Sequence, residues 1–100
     1  MSRPSVVLFT IVAEAVLEDR LLRDLQALGV SGWTVSTARG HSLDGMDPGE
    51  FEGGNVRLEL LVRPDLEEEV WHLLRARYFP QYSLSAWAAD VRVARQDKYR

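Results

Sequence analysis

The chain has 100 residues, of which 46% are hydrophobic and 27% are charged, and its formal net charge at pH 7 is -3. This is enough for one domain with a single modest core, and the acidic balance argues against a dedicated nucleic-acid binder. Because the sequence has no cysteine, disulfide bonds, thiolate zinc sites and cysteine nucleophiles are excluded.

An apolar run lies near the start of the chain and reads "VVLFTIVAEAVL". It is interrupted by Thr10 and Glu14, lacks the cationic flank of a signal peptide and is shorter than the roughly 20 residues of a membrane span. We therefore expect a cytoplasmic protein that does not insert into the membrane.

The first elements are a strand and a helix. The segment "SVVLFTIVA" is β-branched and apolar at nearly every position, which predicts a buried strand from about Val6 to Ala13. From Ala15 onward, leucines recur at spacings of four and three, which is typical of an amphipathic helix: Leu17, Leu21, Leu25 and Leu28. Gly29 is a natural end for this helix.

A long loop separates the next two strands. The segment "GWTVSTA" predicts the second strand, and "NVRLELLVR" predicts the third because its apolar residues alternate strictly with Arg57 and Glu59. We expect the two strands to form a hairpin. The loop between them, about residues 38–54, is much longer than the roughly 4–6 residues of most connections, so it is either disordered or functional.

The last elements are a second helix and a fourth strand. Pro64 and Asp65 begin the helix, and Arg75 and Arg77 lie near its C-terminal end, as the helix dipole favours. After Pro80, the segment "SLSAWAADVRVAR" predicts the last strand.

The order strand, helix, strand, strand, helix, strand is typical of a ferredoxin-like α+β sandwich, in which two helices cover one face of a four-stranded antiparallel sheet. Four apolar residues are assigned to the other face: Phe9, Ile11, Leu61 and Trp87. Two helices cannot cover both faces, so we expect another copy of the chain to cover the second one.

The sequence offers little support for catalysis. His41 and His72 are the only histidines, and no serine, cysteine or carboxylate pair stands at a spacing that helix or strand geometry would bring beside them. The sequence also gives no metal-ligand spacing. RNA-binding modules of this fold stack bases on aromatic residues of the third strand, but that strand has none here. We therefore expect a protein that is not an enzyme, holds no metal and binds no nucleic acid.

The segment "RGHS" follows the second strand, where a turn can present backbone N–H groups and a hydroxyl to a phosphate. Gly40 would let the backbone approach such a ligand closely, or it would merely permit a turn. The four residues alone leave both interpretations open.

Four segments together resemble the PII signalling superfamily over nearly the whole chain. They read "LGVSGWTVSTARGHS", "EGGNVRLELLV", "ADVRVARQDKY" and, between the first two, the long loop. Within that superfamily the chain is similar to the PII-like branch, associated with carboxysomes and bicarbonate transporters, rather than to the nitrogen-regulatory proteins.

The resemblance implies a trimer whose sheets face inward. It implies that an adenine nucleotide occupies each cleft between subunits, with bicarbonate as a candidate second ligand. The long loop would be the signalling T-loop, whose conformation depends on the nucleotide and which regulates a protein target such as an inorganic-carbon transporter.

The resemblance also assigns candidate nucleotide-binding residues. They belong to the entry to the loop, to the strand that leaves it and to the end of the last strand: Thr37, Arg39, Gly40, His41, Ser42, Arg57, Glu59, Arg92 and Arg95. Guanidinium groups suit phosphate because their planar fork donates paired hydrogen bonds. For Arg92 and Arg95, ordinary solvated charge at a strand end is the alternative interpretation.

The chain departs from the pattern of these families in two places. Nitrogen-regulatory proteins carry a glycine-aspartate-glycine-lysine segment before the last strand, where this chain reads "RYFPQYSL". Relatives often have arginines just past the glycine, whereas this loop offers four carboxylates, Asp44, Asp47, Glu50 and Glu52, which disfavour a highly charged ligand. We therefore expect AMP or ADP to be preferred over ATP.

Two other classes of protein stay open at this point. One is a small enzyme or ligand-binding protein that forms a dimeric α/β barrel from the apolar sheet face. The other is a structural oligomerisation module whose loop is unstructured filler.

Overall fold

The computed structural model describes residues 6–40 and 54–95, which form a four-stranded antiparallel sheet with two helices. In chain order the elements are β1 (Val6–Glu14), a 3₁₀ turn (Ala15–Leu17), α1 (Glu18–Leu28), β2 (Trp33–Ala38), β3 (Asn55–Val62), α2 (Pro64–Arg77) and β4 (Ser85–Val91). The strand order is β2-β3-β1-β4. The predicted ferredoxin-like fold and the β2–β3 hairpin are confirmed, whereas β4 ends four residues before the predicted end.

The core lies between the helices and one face of the sheet. Alternate residues of the two central strands are fully buried there, because successive strand residues point to opposite faces. These buried residues are Phe9, Ile11, Leu58 and Leu60. The helices contribute Leu21 and Leu25 from α1 and Val70 and Leu74 from α2, which are also fully buried. The periodic leucines of the sequence thus form the helical side of this core.

The assignment of Phe9 and Ile11 to the second face is wrong. Phe9 is paired with Leu60 and Ile11 with Leu58, so both lie on the helix-covered face, and the Phe9 ring lies 4.6 Å from the ring of Trp71 in α2. Because β1 is apolar at nearly every position, its sequence has no alternation from which a face could be assigned. The opposite face, here called the open face, receives Leu8, Thr10 and Val12 from β1.

The ends of the helices follow the expected rules. Gly29 ends α1 in the left-handed region at a φ of 106°, where a side chain would be strained, and its N–H donates to the carbonyl of Gln26. Pro64 occupies the first turn of α2, and Arg75 and Arg77 occupy its last turn.

Two tyrosines fasten the connection between α2 and β4 to α1. The Tyr78 hydroxyl donates a 2.6 Å hydrogen bond to Asp24, and Arg20 donates a 2.8 Å hydrogen bond to the Tyr82 hydroxyl. The Arg20 guanidinium also lies over both tyrosine rings, 5.1 Å and 5.6 Å from their centroids. Burial raises the pKa of Tyr78, and its hydrogen bond to the Asp24 carboxylate raises that pKa further.

We expect Tyr78→Phe to lower the free energy of unfolding by about 1–2 kcal/mol, because it removes a hydrogen bond to a charged, partly buried acceptor. Tyr82→Phe should cost less, since its hydrogen bond to Arg20 is exposed. Urea unfolding of both variants and the wild type, at one protein concentration, measures the two effects.

The raised pKa gives this contact a pH dependence. Tyr78 keeps its proton more firmly when folded than when unfolded, so its contribution is complete below its ordinary pKa of 10.0 and is lost as the pH rises above it. The difference in unfolding free energy between the wild type and Tyr78→Phe should therefore shrink above pH 10. A difference that stays constant up to pH 11 would contradict this account.

Candidate functional site

The long loop leaves and re-enters the sheet at one end, here called the loop-base end. Ala38, the last residue of β2, pairs with Asn55, the first residue of β3, and Asn55 also pairs with Glu14 at the end of β1. The backbone N–H of Ala15 donates a 2.9 Å hydrogen bond to the carbonyl of Gly54. The exit of the loop is thereby fixed to the start of the helical layer.

Arg39 and Gly40 lie exposed at this end, directly after β2. Gly40 does not adopt a positive φ, and a Cβ added to it would meet no described atom within 4 Å. Gly54 differs, since its φ of 69° favours glycine. The conformation of Gly40 is therefore open to any residue, and the described part of the chain supplies no reason of its own for a glycine there.

Arg57 and Glu59 lie side by side on the open face, in the middle of the sheet. Their side chains are about equally exposed, at 43% and 37%, and the Arg57 Nε lies 3.4 Å from a Glu59 carboxylate oxygen. Their neighbours across the β2–β3 pairing are Ser36 and Thr34, both exposed. This part of the open face thus presents a guanidinium, a carboxylate and two hydroxyls.

Arg92 and Arg95 lie at the opposite end of the sheet. Val91, the last residue of β4, pairs with Val6, the first residue of β1, and both arginines follow it exposed. Val6 is eight residues from Glu14, so at about 3.3 Å per residue the two ends of the sheet are roughly 26 Å apart. Within one chain, these arginines cannot reach a ligand bound at Gly40.

Thr37 is separated from Arg57 and Glu59 by the sheet itself. It pairs with Val56, a core residue, so it lies on the helix side of the sheet, opposite to Arg57 and Glu59. His41 and Ser42 lie outside the described residues. The structure therefore brings together Arg57 with Glu59, and Arg39 with Gly40, but it does not gather all the candidates at one point of a single chain.

The sequence missed Thr10, Thr34 and the contact between Arg57 and Trp87. Thr10 lies at the centre of the open face, yet it is fully buried, and its hydroxyl has no hydrogen-bond partner among the described residues. The Arg57 guanidinium carbon lies 5.8 Å from the centroid of the Trp87 ring. For Thr10, the only signal in the sequence is a single hydroxyl within an apolar strand. The strand register is needed to see that this hydroxyl lies on the open face.

Residues 6–40 and 54–95 contain no group of three or more side chains suited to holding a metal ion. Over the same residues, none of the helices combines the length and hydropathy needed to cross a bilayer. His72 is an exposed residue of α2.

The fold and the sequence both match known proteins. The family model for nitrogen regulatory protein P-II matches residues 6–98, which is nearly the whole chain. The chain belongs to the P-II family. A solved structure from Thermus thermophilus, described as a PII-like signalling protein, is 37% identical with a TM-score of 0.82, and all of both chains is covered.

More distant members of this fold are similar over most of their length. CPII of Thiomonas intermedia, solved with ADP and bicarbonate, has a TM-score of 0.83 at 20% identity, covering 96% of this chain and 95% of that one. The B. subtilis GlnK-ATP complex has a TM-score of 0.67 at 14% identity, covering 91% and 85%. No curated protein sequence matches the chain. The predicted membership of the PII superfamily is confirmed.

Proposed function

We propose that this P-II chain is a non-catalytic, cytoplasmic nucleotide sensor that assembles as a trimer. It binds AMP or ADP, with bicarbonate as a second ligand, in clefts between subunits. Nucleotide binding selects a conformation of the long loop, and the loop regulates a partner protein, for which an inorganic-carbon transporter is our first candidate.

The observation that carries this proposal is the separation of the candidate groups within one chain. Gly40 and Arg39 lie at the loop-base end, while Arg92 and Arg95 lie about 26 Å away, estimated from strand geometry. A phosphate site that uses both sets must therefore combine the loop base of one subunit with the terminal arginines of another. This requirement supports a site between subunits.

The class of ligand is supported by the relatives that share the fold. CPII was solved with ADP and bicarbonate, and in another structure with ADP, AMP and bicarbonate, while B. subtilis GlnK was solved with ATP. Adenine nucleotides are thus the ligands to test first.

The preference for fewer phosphates follows from the connection between α2 and β4. Residues 78–84 read "YFPQYSL" and contain neither lysine nor arginine. This segment is folded as a turn in which the N–H groups of Gln81 and Tyr82 donate to the carbonyl of Tyr78. This hydrogen-bonded turn carries no charged residue, so it supplies no positive charge for a third phosphate. The candidate arginines at the two ends of the sheet therefore suit AMP or ADP better than ATP.

The proposed signal is a population shift. A nucleotide that contacts the loop base in one conformation stabilises that conformation by its differential affinity, and the partner responds to the change in population. Gly40 would let backbone N–H groups approach the phosphate, and the guanidinium groups of the neighbouring subunit would neutralise it.

Isothermal titration with AMP, ADP, ATP and cyclic AMP, each with and without bicarbonate, tests the proposal directly. We expect micromolar binding of AMP or ADP at about one nucleotide per chain, and weaker binding of ATP. Native mass spectrometry should give the mass of three 11.4 kDa chains. A folded protein that binds none of the four nucleotides, or one with the mass of a dimer, would overturn it.

Arg92→Ala should weaken ADP binding roughly 10- to 100-fold, because a charge-assisted hydrogen bond is worth about 1.5–3 kcal/mol. The trimer should persist, since the side chain is exposed at the end of β4. Arg23→Ala, which removes an exposed arginine from α1, is the matched control and should bind as the wild type does. Unchanged affinity in Arg92→Ala would remove that residue from the site.

Gly40→Val should reduce ADP affinity more than Gly40→Ala, since each added methyl group further obstructs approach of a phosphate to the backbone. Thermal stability should be unaffected in both variants, because a Cβ at this position meets no described atom within 4 Å. If Gly40→Val binds ADP as tightly as the wild type, Gly40 is only a turn residue.

A further inference from the structure

Of the four candidate arginines, Arg57 is the one for which the described residues provide a holding arrangement. Glu59, two residues along the same strand, is close to it, with 3.4 Å between the Arg57 Nε and a carboxylate oxygen. Trp87 is also close, with its ring centroid 5.8 Å from the guanidinium carbon. The arginine thus has both a carboxylate and an aromatic ring as neighbours.

The contact with Trp87 spans a strand. Arg57 belongs to β3 and Trp87 to β4, with β1 between them, so the strand axes are about 9.5 Å apart. Arg57 pairs with Val12 and Trp87 pairs with Thr10 on the intervening strand. The two long side chains therefore lean toward each other over β1.

The burial of Thr10 shows that neighbouring side chains cover the centre of the open face. Thr10 belongs to a face that neither helix covers, but its exposed fraction is 0%. Its nearest cross-strand neighbours on that face are Glu59 and Trp87. Thr10 is thus covered by its neighbours on the open face, although 44% of Trp87 remains exposed.

We propose that Trp87 is a positioning residue for Arg57. Its ring and the Glu59 carboxylate limit the rotamers of Arg57 and keep the guanidinium at the open face, in the orientation in which it meets the nucleotide phosphate. This inference rests on the proposed function, since it assumes that Arg57 is a phosphate ligand. A cation held against an aromatic face loses less rotamer entropy on binding, which is how the ring improves affinity.

A double-mutant cycle with ADP tests the proposal, using the wild type, Trp87→Leu, Arg57→Met and the double variant. We expect Trp87→Leu to weaken ADP binding about two- to five-fold, the size of an exposed cation–π contact. In the Arg57→Met background the same substitution should have no further effect, because Trp87 acts through Arg57. Additive effects in the cycle would overturn the proposal.

Three controls separate positioning from a general structural role. Adenosine, which lacks a phosphate, should bind Trp87→Leu as it binds the wild type. Trp87→Phe keeps a ring and should restore ADP binding, whereas Trp33→Leu removes a tryptophan that is 38% exposed on the helix side of the sheet and should have no effect. Equal losses for adenosine and ADP, or failure of Trp87→Phe to restore binding, would show that Trp87 serves the fold or the assembly instead.

A measurement without nucleotide makes the two proposals separable. In ¹⁵N NMR spectra, the Arg57 Nε–Hε resonance should move in Trp87→Leu through loss of the ring current and should stay in place in Trp33→Leu. If this shift is seen but the wild type binds no nucleotide, the contact is real and the proposed function fails. If the wild type binds ADP and neither the resonance nor the affinity responds to Trp87→Leu, only the positioning role fails.

Discussion

The antiparallel pairing of β1 with β3 is the constraint on which the rest of the structure depends. It runs from Val7 opposite Val62 to Glu14 opposite Asn55, without interruption. A slip of one residue would turn every side chain of a strand to the other face, so this register decides which residues become core and which remain available for binding. Burial of Phe9 and Leu60 on one side therefore requires Thr10 and Glu59 on the other.

The helical layer is stabilised by polar contacts as well as by apolar burial. Leucine packing holds α1 and α2 against the sheet, while Tyr78 and Tyr82 tie the end of α2 to Asp24 and Arg20 of α1. The 3₁₀ turn bonds to the exit of the long loop through Ala15 and Gly54, and α1, which follows it directly, contacts the α2–β4 connection. The loop-base end is thus built from contacts among separate parts of the chain.

The sequence predicted the fold wherever its periodicity was clear. In β3 the strict alternation placed Arg57 and Glu59 correctly on the face opposite to the core. In β1 an unbroken apolar run contained no such information, and Phe9 was assigned to the wrong face. The contact between Arg57 and Trp87 could not be predicted, because it joins strands that are not neighbours and depends on two registers at once. The distance between Gly40 and Arg92 likewise follows from strand pairing and not from sequence separation.

The placement of the candidate groups at opposite ends of the sheet gives each subunit a direction. Under the proposed function, one end of a chain supplies half of a site and the other end supplies the complementary half of a different site. Copies related in this way associate head to tail, through two unlike surfaces, and such an association must close into a ring or else continue as a filament. Closure after three copies leaves no half-site unmatched, so the number of complete sites equals the number of subunits. Under the proposed function, no subunit on its own possesses one.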